Sequence, residues 1–274
     1  MKKKNTRLAI VLNCVMGILW LLPIYWSFVT STKTQKEIYG GITLYPHRFT
    51  WENYVDLFSY RSGVAYGYLW NSIRLCLLTI LIVSTVSVLA GYAFSRLELI
   101  GKKLWLTLVL LAMMVPVQAL MVPLHNTLAS TGLLGTVWGM VAVYVTFQTP
   151  FCVYMMKSTF DSVPMELQEA ALVDGAGSFT IFRKIYLPLT IPGMITIVVY
   201  SAYTTWNDYT ISLTFGGNTM KTFNVGLVDM LSNDSAVNWG MLTSGSIVGI
   251  IPIVILFLFL QKYFVKGMMS GAVK

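Results

Sequence analysis

Six long stretches of this chain carry almost no charge, and that pattern restricts its fold more than any other feature. They run from Leu8 to Val29, Ile73 to Phe94, Leu104 to Val122, Leu134 to Met156, Ile185 to Trp206 and Ser244 to Phe264. A helix of about 20 apolar residues crosses the roughly 30 Å hydrocarbon core of a bilayer. Strands of a membrane barrel would instead alternate in polarity over about ten residues, and none of the six does so. Gly, Pro or charged residues bound each stretch. The composition agrees, since 56% of the 274 residues are apolar and only 11% are charged. An average soluble domain is about 25% charged. The sequence therefore predicts an all-α integral membrane protein with six transmembrane helices.

The first stretch follows a basic start, Met1 to Arg7, as a signal peptide would. It is too long for a signal h-region, and no small-residue cleavage site follows it. It reads as a retained span with Pro23 near its outer end. The fifth stretch carries Pro188, Pro192 and Gly193 near its start, with several Thr, Ser and Tyr residues. That content suits a helix packed inside a bundle rather than one facing lipid.

Charge placement sets an expected orientation. With a cytoplasmic N-terminus, the inside receives Lys2, Lys3, Lys4, Arg7, Arg96, Lys102, Lys103, Lys157, Arg183, Lys184, Lys262, Lys266 and Lys274. The outside receives only Lys33, Lys36, Arg48, Arg61, Arg74 and Lys221. Acids divide almost evenly, so the whole net charge of +8 falls inside. This is the positive-inside pattern. The basic character thus reads as topology, and no nucleic-acid partner is expected. Cys14, Cys76 and Cys152 all lie in apolar stretches and form neither a disulfide framework nor a zinc spacing. His47 and His125 stand apart, so no metal site and no catalytic constellation is expected.

The extramembrane pieces differ in kind. The outer loops, 30–70 and 207–243, are long, and the first is rich in aromatics suited to interfacial anchoring. The inner loop 157–184 is charged and helix-forming. In it Pro164 fits an early helical position, and Glu166 and Glu169 lie in the first turns, where the helix dipole favours anions. Leu167, Ala170, Ala171 and Asp174 follow at helical spacings, and Gly175 and Gly177 allow a turn or a close backbone approach. A second helical segment, Phe179 to Tyr186, leads into the fifth span. A short helix on a loop held at both ends by spans can serve as a rigid docking handle. It can equally be a plain linker lying on the membrane.

The residues also carry a resemblance. Glu169-Ala-Ala171, three residues, Gly175, nine residues, then Ile185-Tyr186-Leu187-Pro188 is similar to the signature of binding-protein-dependent ABC transporter permeases. Further pieces resemble the carbohydrate-uptake branch and its MalG-like subunits: Tyr45-Pro46, Phe49 to Tyr54, Asn71-Ser72, Gly91 to Arg96, Trp206-Asn207-Asp208 and the tail from Gln261 to Lys274. The likeness covers nearly the whole chain. It implies an ABC importer permease fold with a cytoplasmic coupling helix near 163–177. Three parts are expected: 1–70 as an N-terminal span and outer loop, 71–264 as a core of five spans, and 265–274 as a cytoplasmic tail.

By that resemblance the chain is a permease for a sugar or oligosaccharide, set in a bacterial or archaeal cytoplasmic membrane with both termini in the cytoplasm. It implies three partners: a second, MalF-like permease, a dimeric ATP-binding subunit, and an extracellular or periplasmic sugar-binding protein. Glu169 would then make a polar contact with the ATPase, Ala170 and Ala171 would pack on it, and Gly175 would shape the turn. The tail from Gly267 to Lys274 would reach the same interface. The chain has no Gly-x-x-x-x-Gly-Lys-Ser/Thr loop, so it is not an enzyme and holds no cofactor of its own. ATP and Mg would be used by the partner. Aromatic and hydrogen-bonding candidates for the solute pathway are Gln118, Asn126, Tyr144, Gln148, Tyr203 and Asn207, with Tyr200 and Asp208 beside them. Each can instead be satisfied by a neighbouring helix. Import of glycerol phosphate or a polyamine is the alternative. The near absence of charge in the spans favours a neutral solute. A free-standing secondary carrier would show an inverted repeat or ionisable groups at membrane depth.

Overall fold

In the computed structural model, the described backbone covers residues 2–232 and 237–272, with side chains described for 10–230 and 237–261. The side chains of the tail expected at 265–274 lie outside the described residues. Among the described residues every regular element is helical, and the chain divides into two compact units.

The first unit comprises residues 1–69 and 223–252. It contains α1 (Lys2–Ser31), α2 (Gln35–Gly40), α3 (Glu52–Ser59), the start of α4 (Val64–Arg96), α13 (Phe223–Ser232) and the first part of α14 (Trp239–Ala272). Within α1, the 22 residues from Ile10 to Ser31 have a mean hydropathy of 1.8, and no part of the most apolar stretch is buried. A helix that is apolar all round and left uncovered by the described residues over that stretch offers its surface to lipid or to another subunit. Leu57, Ala65, Met230 and Met241 form a small core. Asn53 is the polar hub of this unit. It is buried, its amide nitrogen donates to the carbonyls of Ser31 at 2.9 Å and Lys33 at 2.7 Å, and Ser244 donates to its backbone carbonyl. One amide side chain thereby closes the carbonyls left open at the end of α1.

The second unit comprises residues 70–222 and 253–274. After the rest of α4 come α5 (Lys102–Ala112), α6 (Val117–Ser130), α7 (Val137–Asp161), α8 (Glu166–Val173), α9 (Ser178–Ile181), a π-helical turn (Phe182–Tyr186), α10 (Leu187–Leu189), α11 (Ile191–Asn207) and α12 (Thr210–Phe215). Helix α7 is its axis, packed against α5, α11 and α12. Glycines permit the closest approaches. A Cβ at Gly91 of α4 would stand 2.6 Å from the Met156 Cβ and 2.9 Å from the Lys157 amide nitrogen. A Cβ at Gly193 of α11 would collide with Thr159. Small residues at such crossings are how membrane helices gain packing without a hydrophobic drive between them. One core gathers Leu75, Met140, Tyr144, Phe215 and neighbours, and another gathers Val83, Met156, Phe160, Ile181, Tyr186 and Ile197.

Among the described residues four helices are individually long and apolar enough to cross a bilayer, and with each of two bent pairs taken as one span the number is six. The bends refine two of the expected spans. The span expected over Leu104–Val122 is α5 and α6, meeting at 94°. Pro116 is the cause: it has no N–H, its own backbone is extended (φ −69°, ψ 129°), and it drives the preceding residue out of the helical region. The span expected over Ile185–Trp206 is bent by 69° at Thr190. Pro192 lacks the N–H that would bond back to the Pro188 carbonyl across the bend, and the Thr190 hydroxyl donates to the Tyr186 carbonyl at 2.8 Å beside the break.

Candidate functional site

Helix α8 is short and stands out from the second unit. It begins at Glu166, two residues after Pro164. Gln168 and Glu169 both donate to the Met165 carbonyl, so Met165 is the cap and Pro164 lies in the connecting segment rather than in the first turn. Only Gln168 and Ala171 turn inward, and Ala171 packs on the core around Phe160 and Tyr186. Glu166, Glu169 and Ala170 are exposed. So are the apolar side chains of Met165, Leu167, Leu172 and Val173, the last at 89%. This is an apolar surface edged by two acids on a helix of eight residues.

The end of α8 is a Schellman motif. Gly175 has φ +77°, its N–H bonds to the Leu172 carbonyl at 3.0 Å, and the Ala176 N–H bonds to the Ala171 carbonyl at 2.9 Å. Only glycine takes that left-handed position without strain. A Cβ there would meet nothing within 4 Å. The demand for glycine therefore comes from the backbone, within this chain.

The base of α8 is made by residues that no single stretch of sequence singles out. Arg96, at the end of α4, donates to the carbonyls of Phe160 and Val163 and lies 3.1 Å from the Met165 sulfur. Its guanidinium also sits over the Tyr186 ring, 4.8 Å from the centroid. The Tyr186 hydroxyl donates to the Gln168 side-chain carbonyl at 2.7 Å. Tyr92, Phe160, Phe182 and Tyr186 pack edge-on or tilted around this point. Ser95 and Lys157 both hold Asp161. The ends of α4 and α7, the turn before α11 and α8 are thus one connected assembly. Arg96 and Tyr92 fall in the quoted Gly91-Tyr92-Ala93-Phe94-Ser95-Arg96 segment, which was the available signal. Their partners, far along the chain, were not legible.

The polar residues expected along a solute pathway divide into two groups. Tyr144 is buried, with its hydroxyl 2.7 Å from the Asp208 carboxylate and 2.9 Å from the Ser212 hydroxyl. Gln148 is buried too, donating to Thr205 at 2.9 Å and accepting from Ser201 at 2.6 Å. Both have their hydrogen-bonding capacity engaged between α7 and the α11–α12 region. Gln118, Asn126, Tyr203 and Asn207 are exposed, and the Asn207 amide donates back to the Tyr203 carbonyl. Tyr203 and Tyr200 line an apolar groove of about 560 Å³ with Phe151 and Phe257. The polar candidates are not gathered into one site within this unit.

Comparison with known proteins places this arrangement. The trehalose transport system permease protein SugB of Mycobacterium tuberculosis is 33% identical over 274 residues, covering 99% of this chain and 98% of that protein. A probable ABC transporter permease protein, YurM of Bacillus subtilis, is 35% identical over 256 residues, covering 92% of this chain and 83% of that one. Among solved structures, a chain of a bacterial ABC transporter involved in import of the acidic polysaccharide alginate superposes with a TM-score of 0.81. It is 22% identical, covering 96% of this chain and 97% of its own, and shows the shared fold. Residues 84–270, which include α8 and its whole base, match the family described as the inner membrane component of binding-protein-dependent transport systems, and the chain belongs to that family.

Proposed function

We propose that this chain is a membrane-spanning permease subunit of an ATP-driven importer for a sugar or oligosaccharide. It lines the pathway together with a second, MalF-like permease. A dimeric ATP-binding subunit supplies the energy, and a sugar-binding protein delivers the solute. ATP and Mg are used in the partner subunit. The observation that carries the reading is the presentation of α8: an exposed apolar surface edged by Glu166 and Glu169, closed by Gly175, and bolted through Arg96 and Tyr186 to the ends of α4 and α7. A helix fixed in this way transmits a push to the spans instead of absorbing it.

On this reading Glu169, Ala170, Ala171 and Gly175 form the ATPase contact, and α8 and both termini face the cytoplasm, as the distribution of Lys and Arg supports. The first 70 residues make the N-terminal span and outer loop, 71–264 the permease core of five spans, and 265–274 a cytoplasmic tail at the same interface. The geometry supports an alternating-access mechanism. Closure of the ATPase moves α8, and α8 moves α4 and α7 through their shared base. Gln118, Asn126, Tyr203 and Asn207 are the exposed candidates for solute contact. Tyr144 and Gln148 contribute by fixing the helices that carry them.

The test is uptake into proteoliposomes holding the complete complex, its binding protein outside and ATP inside. A labelled oligosaccharide should enter, and Glu169→Ala should slow both uptake and solute-stimulated ATP hydrolysis with assembly intact. Transport of amino acids or polyamines alone would overturn the carbohydrate reading. Maleimide labelling of Glu169→Cys in intact cells tests the orientation, and reaction with an impermeant reagent from outside would reverse it.

A further inference from the structure

Asn71 belongs to the Asn71-Ser72 pair singled out in the sequence, and nothing in the base of α8 uses it. About 37 Å of helix separate it from Arg96 at the other end of α4. About 35 Å likewise separate Val137, the first residue of α7, from Phe160 near its end. The two helices gripped beneath α8 therefore have a second pair of ends, within the same unit, and the loop after α12 joins these. The Asn71 amide nitrogen donates to the Lys221 carbonyl at 3.1 Å and to the Thr219 carbonyl at 3.4 Å. The Thr219 hydroxyl donates to the Gly135 carbonyl at 2.6 Å, in the turn that leads into α7. The Gly135 N–H in turn donates to the Phe215 carbonyl at 3.0 Å. The loop is thus bonded to α4 on one side and to the start of α7 on the other.

The join is closely built. Phe215 and Met220 are buried in one core with Leu75 of α4 and Met140 of α7. Gly135 and Gly217 both take the left-handed backbone, and a Cβ on Gly217 would stand 3.8 Å from the Gly135 Cα, so the two turns lie backbone to backbone. Between the buried residues a tip of Gly217, Asn218 and Thr219 is exposed. The Arg74 guanidinium donates to the Asn71 side-chain oxygen at 3.3 Å and lies 3.3 Å from the Met220 sulfur. With its oxygen turned to Arg74, the amide presents its nitrogen to the loop carbonyls. A short side chain that accepts from Arg74 and donates to the loop at once has to be an amide. Apolar packing resists separation but is non-directional, so it permits sliding. The hydrogen bonds from Asn71 are what fix the register of the loop on α4.

We propose that Asn71 is a positioning residue for coupling, which makes the exposed tip 217–219 the far terminus of the assembly that begins at α8. The proposal rests on the reading of α8 as the ATPase contact. The base of α8 holds α4 and α7 at one end, and the Asn71 clasp holds the same two helices at the other. A displacement of α8 then carries the tip along with both helices. Without the amide, the loop keeps its two apolar anchors and its bond to Gly135, and α4 slides past it. The movement delivered by the ATPase is then lost before it reaches the tip.

The experiment uses the assembled complex in proteoliposomes and two measurements. The first is solute imported per ATP hydrolysed. The second is the distance between spin labels on Asn218→Cys at the tip and Leu89→Cys on α4, with Cys14→Ser; Cys76 and Cys152 are buried and stay unlabelled. With Asn71 in place the distance should be single and narrow, and the same with and without trapped ATP. In Asn71→Ala it should broaden and differ between the two states, and solute imported per ATP should fall about 5-fold, the scale of one hydrogen bond. Asn71→Asp, which keeps the acceptor for Arg74 but loses the donor, should match Ala. Thr219→Val, outside the helices, should cause a smaller fall. A narrow distance with an unchanged ratio in Asn71→Ala overturns the proposal. So does a loss of uptake and hydrolysis in equal proportion, since that marks a residue needed only for stability. If Asn71→Ala does not assemble, Thr219→Val decides, and an unchanged ratio there overturns the proposal. A wild-type complex that hydrolyses ATP without importing any carbohydrate would strike the carbohydrate reading alone, because the distance measurement needs no solute and still decides the clasp.

Discussion

Replacing Arg96 with alanine removes a forked donor from the carbonyls of Phe160 and Val163 and a cation from the face of Tyr186. The Phe160 carbonyl keeps the Val163 N–H, but the Val163 carbonyl loses the partner described for it. Hydrogen bonds from a charged donor contribute about 1.5–3 kcal/mol each. A cation over an aromatic ring adds about 0.5–2 kcal/mol. Arg96 is only partly buried, so water recovers some of the loss and the low end of each range applies. The expected cost is about 3 kcal/mol, concentrated where α4, α7 and α8 meet. Arg96→Lys keeps the charge but reaches one carbonyl at a time, because an ammonium has no fork, and should lose roughly half as much. Two measurements separate local loosening from general unfolding. Thermal unfolding of the purified chain should fall in the order wild type, Lys, Ala. Crosslinking from Glu169→Cys to the ATP-binding partner should broaden over several acceptor positions, and uptake should fall more than tenfold in the Ala variant. An Arg96→Ala protein with wild-type melting, a single crosslink and wild-type uptake would refute the claim that this side chain holds the handle in place.

Three further outcomes follow from the packing. Gly175→Ala and Gly175→Leu should destabilise the isolated chain equally, by about 1–2 kcal/mol, because the cost is the left-handed backbone and no atom lies within 4 Å of the new Cβ. Gly175→Asn should cost less, and stimulated ATP hydrolysis should instead fall with side-chain size. A Leu variant melting well below Ala would show a hidden clash. Gly91→Ala should destabilise by about 1–3 kcal/mol, since its Cβ would press on Met156 and the Lys157 backbone. Gly67→Ala, in the same helix with open space around it, should be neutral or stabilising, and equal melting of the two variants would contradict the packing. Gln148→Leu strands the Ser201 and Thr205 hydroxyls and should cost about 1–3 kcal/mol while leaving the half-saturating solute concentration unchanged. A large rise in that concentration would make Gln148 a solute ligand after all.

The spans were legible because a bilayer imposes a length and a charge rule that any chain must write into its residues. The segment of α8 was legible for another reason: Glu169-Ala-Ala171, Gly175 and Ile185 to Pro188 are local in sequence. Gly175 is there for its φ, and Pro188 marks the approach to the break at Thr190. The base of α8 was not legible. Arg96 meets Phe160 and Val163 across more than sixty residues, and nothing in a hydropathy pattern says which arginine near a span end will turn back to grip a helix terminus. The bend at Pro116 is invisible to a hydropathy window, which averages over proline and sees only apolar residues. For Tyr144 and Gln148 residue type gave chemistry without direction. A buried tyrosine bonded to Asp208 and an exposed one such as Tyr203 look alike in a sequence.

The right-angled break between α5 and α6 has one more consequence. Among the described residues no hydrogen bond reaches the carbonyls of Met113, Met114 and Val115, and the Met113 and Met114 side chains beside them are exposed. Hydrocarbon offers no donor, and an open carbonyl in contact with acyl chains costs several kcal/mol. This elbow is therefore a place where contact with acyl chains would be costly. Either a neighbouring subunit supplies the missing donors or a column of water does, and Gln118, exposed on the next turn, stands beside whichever it is.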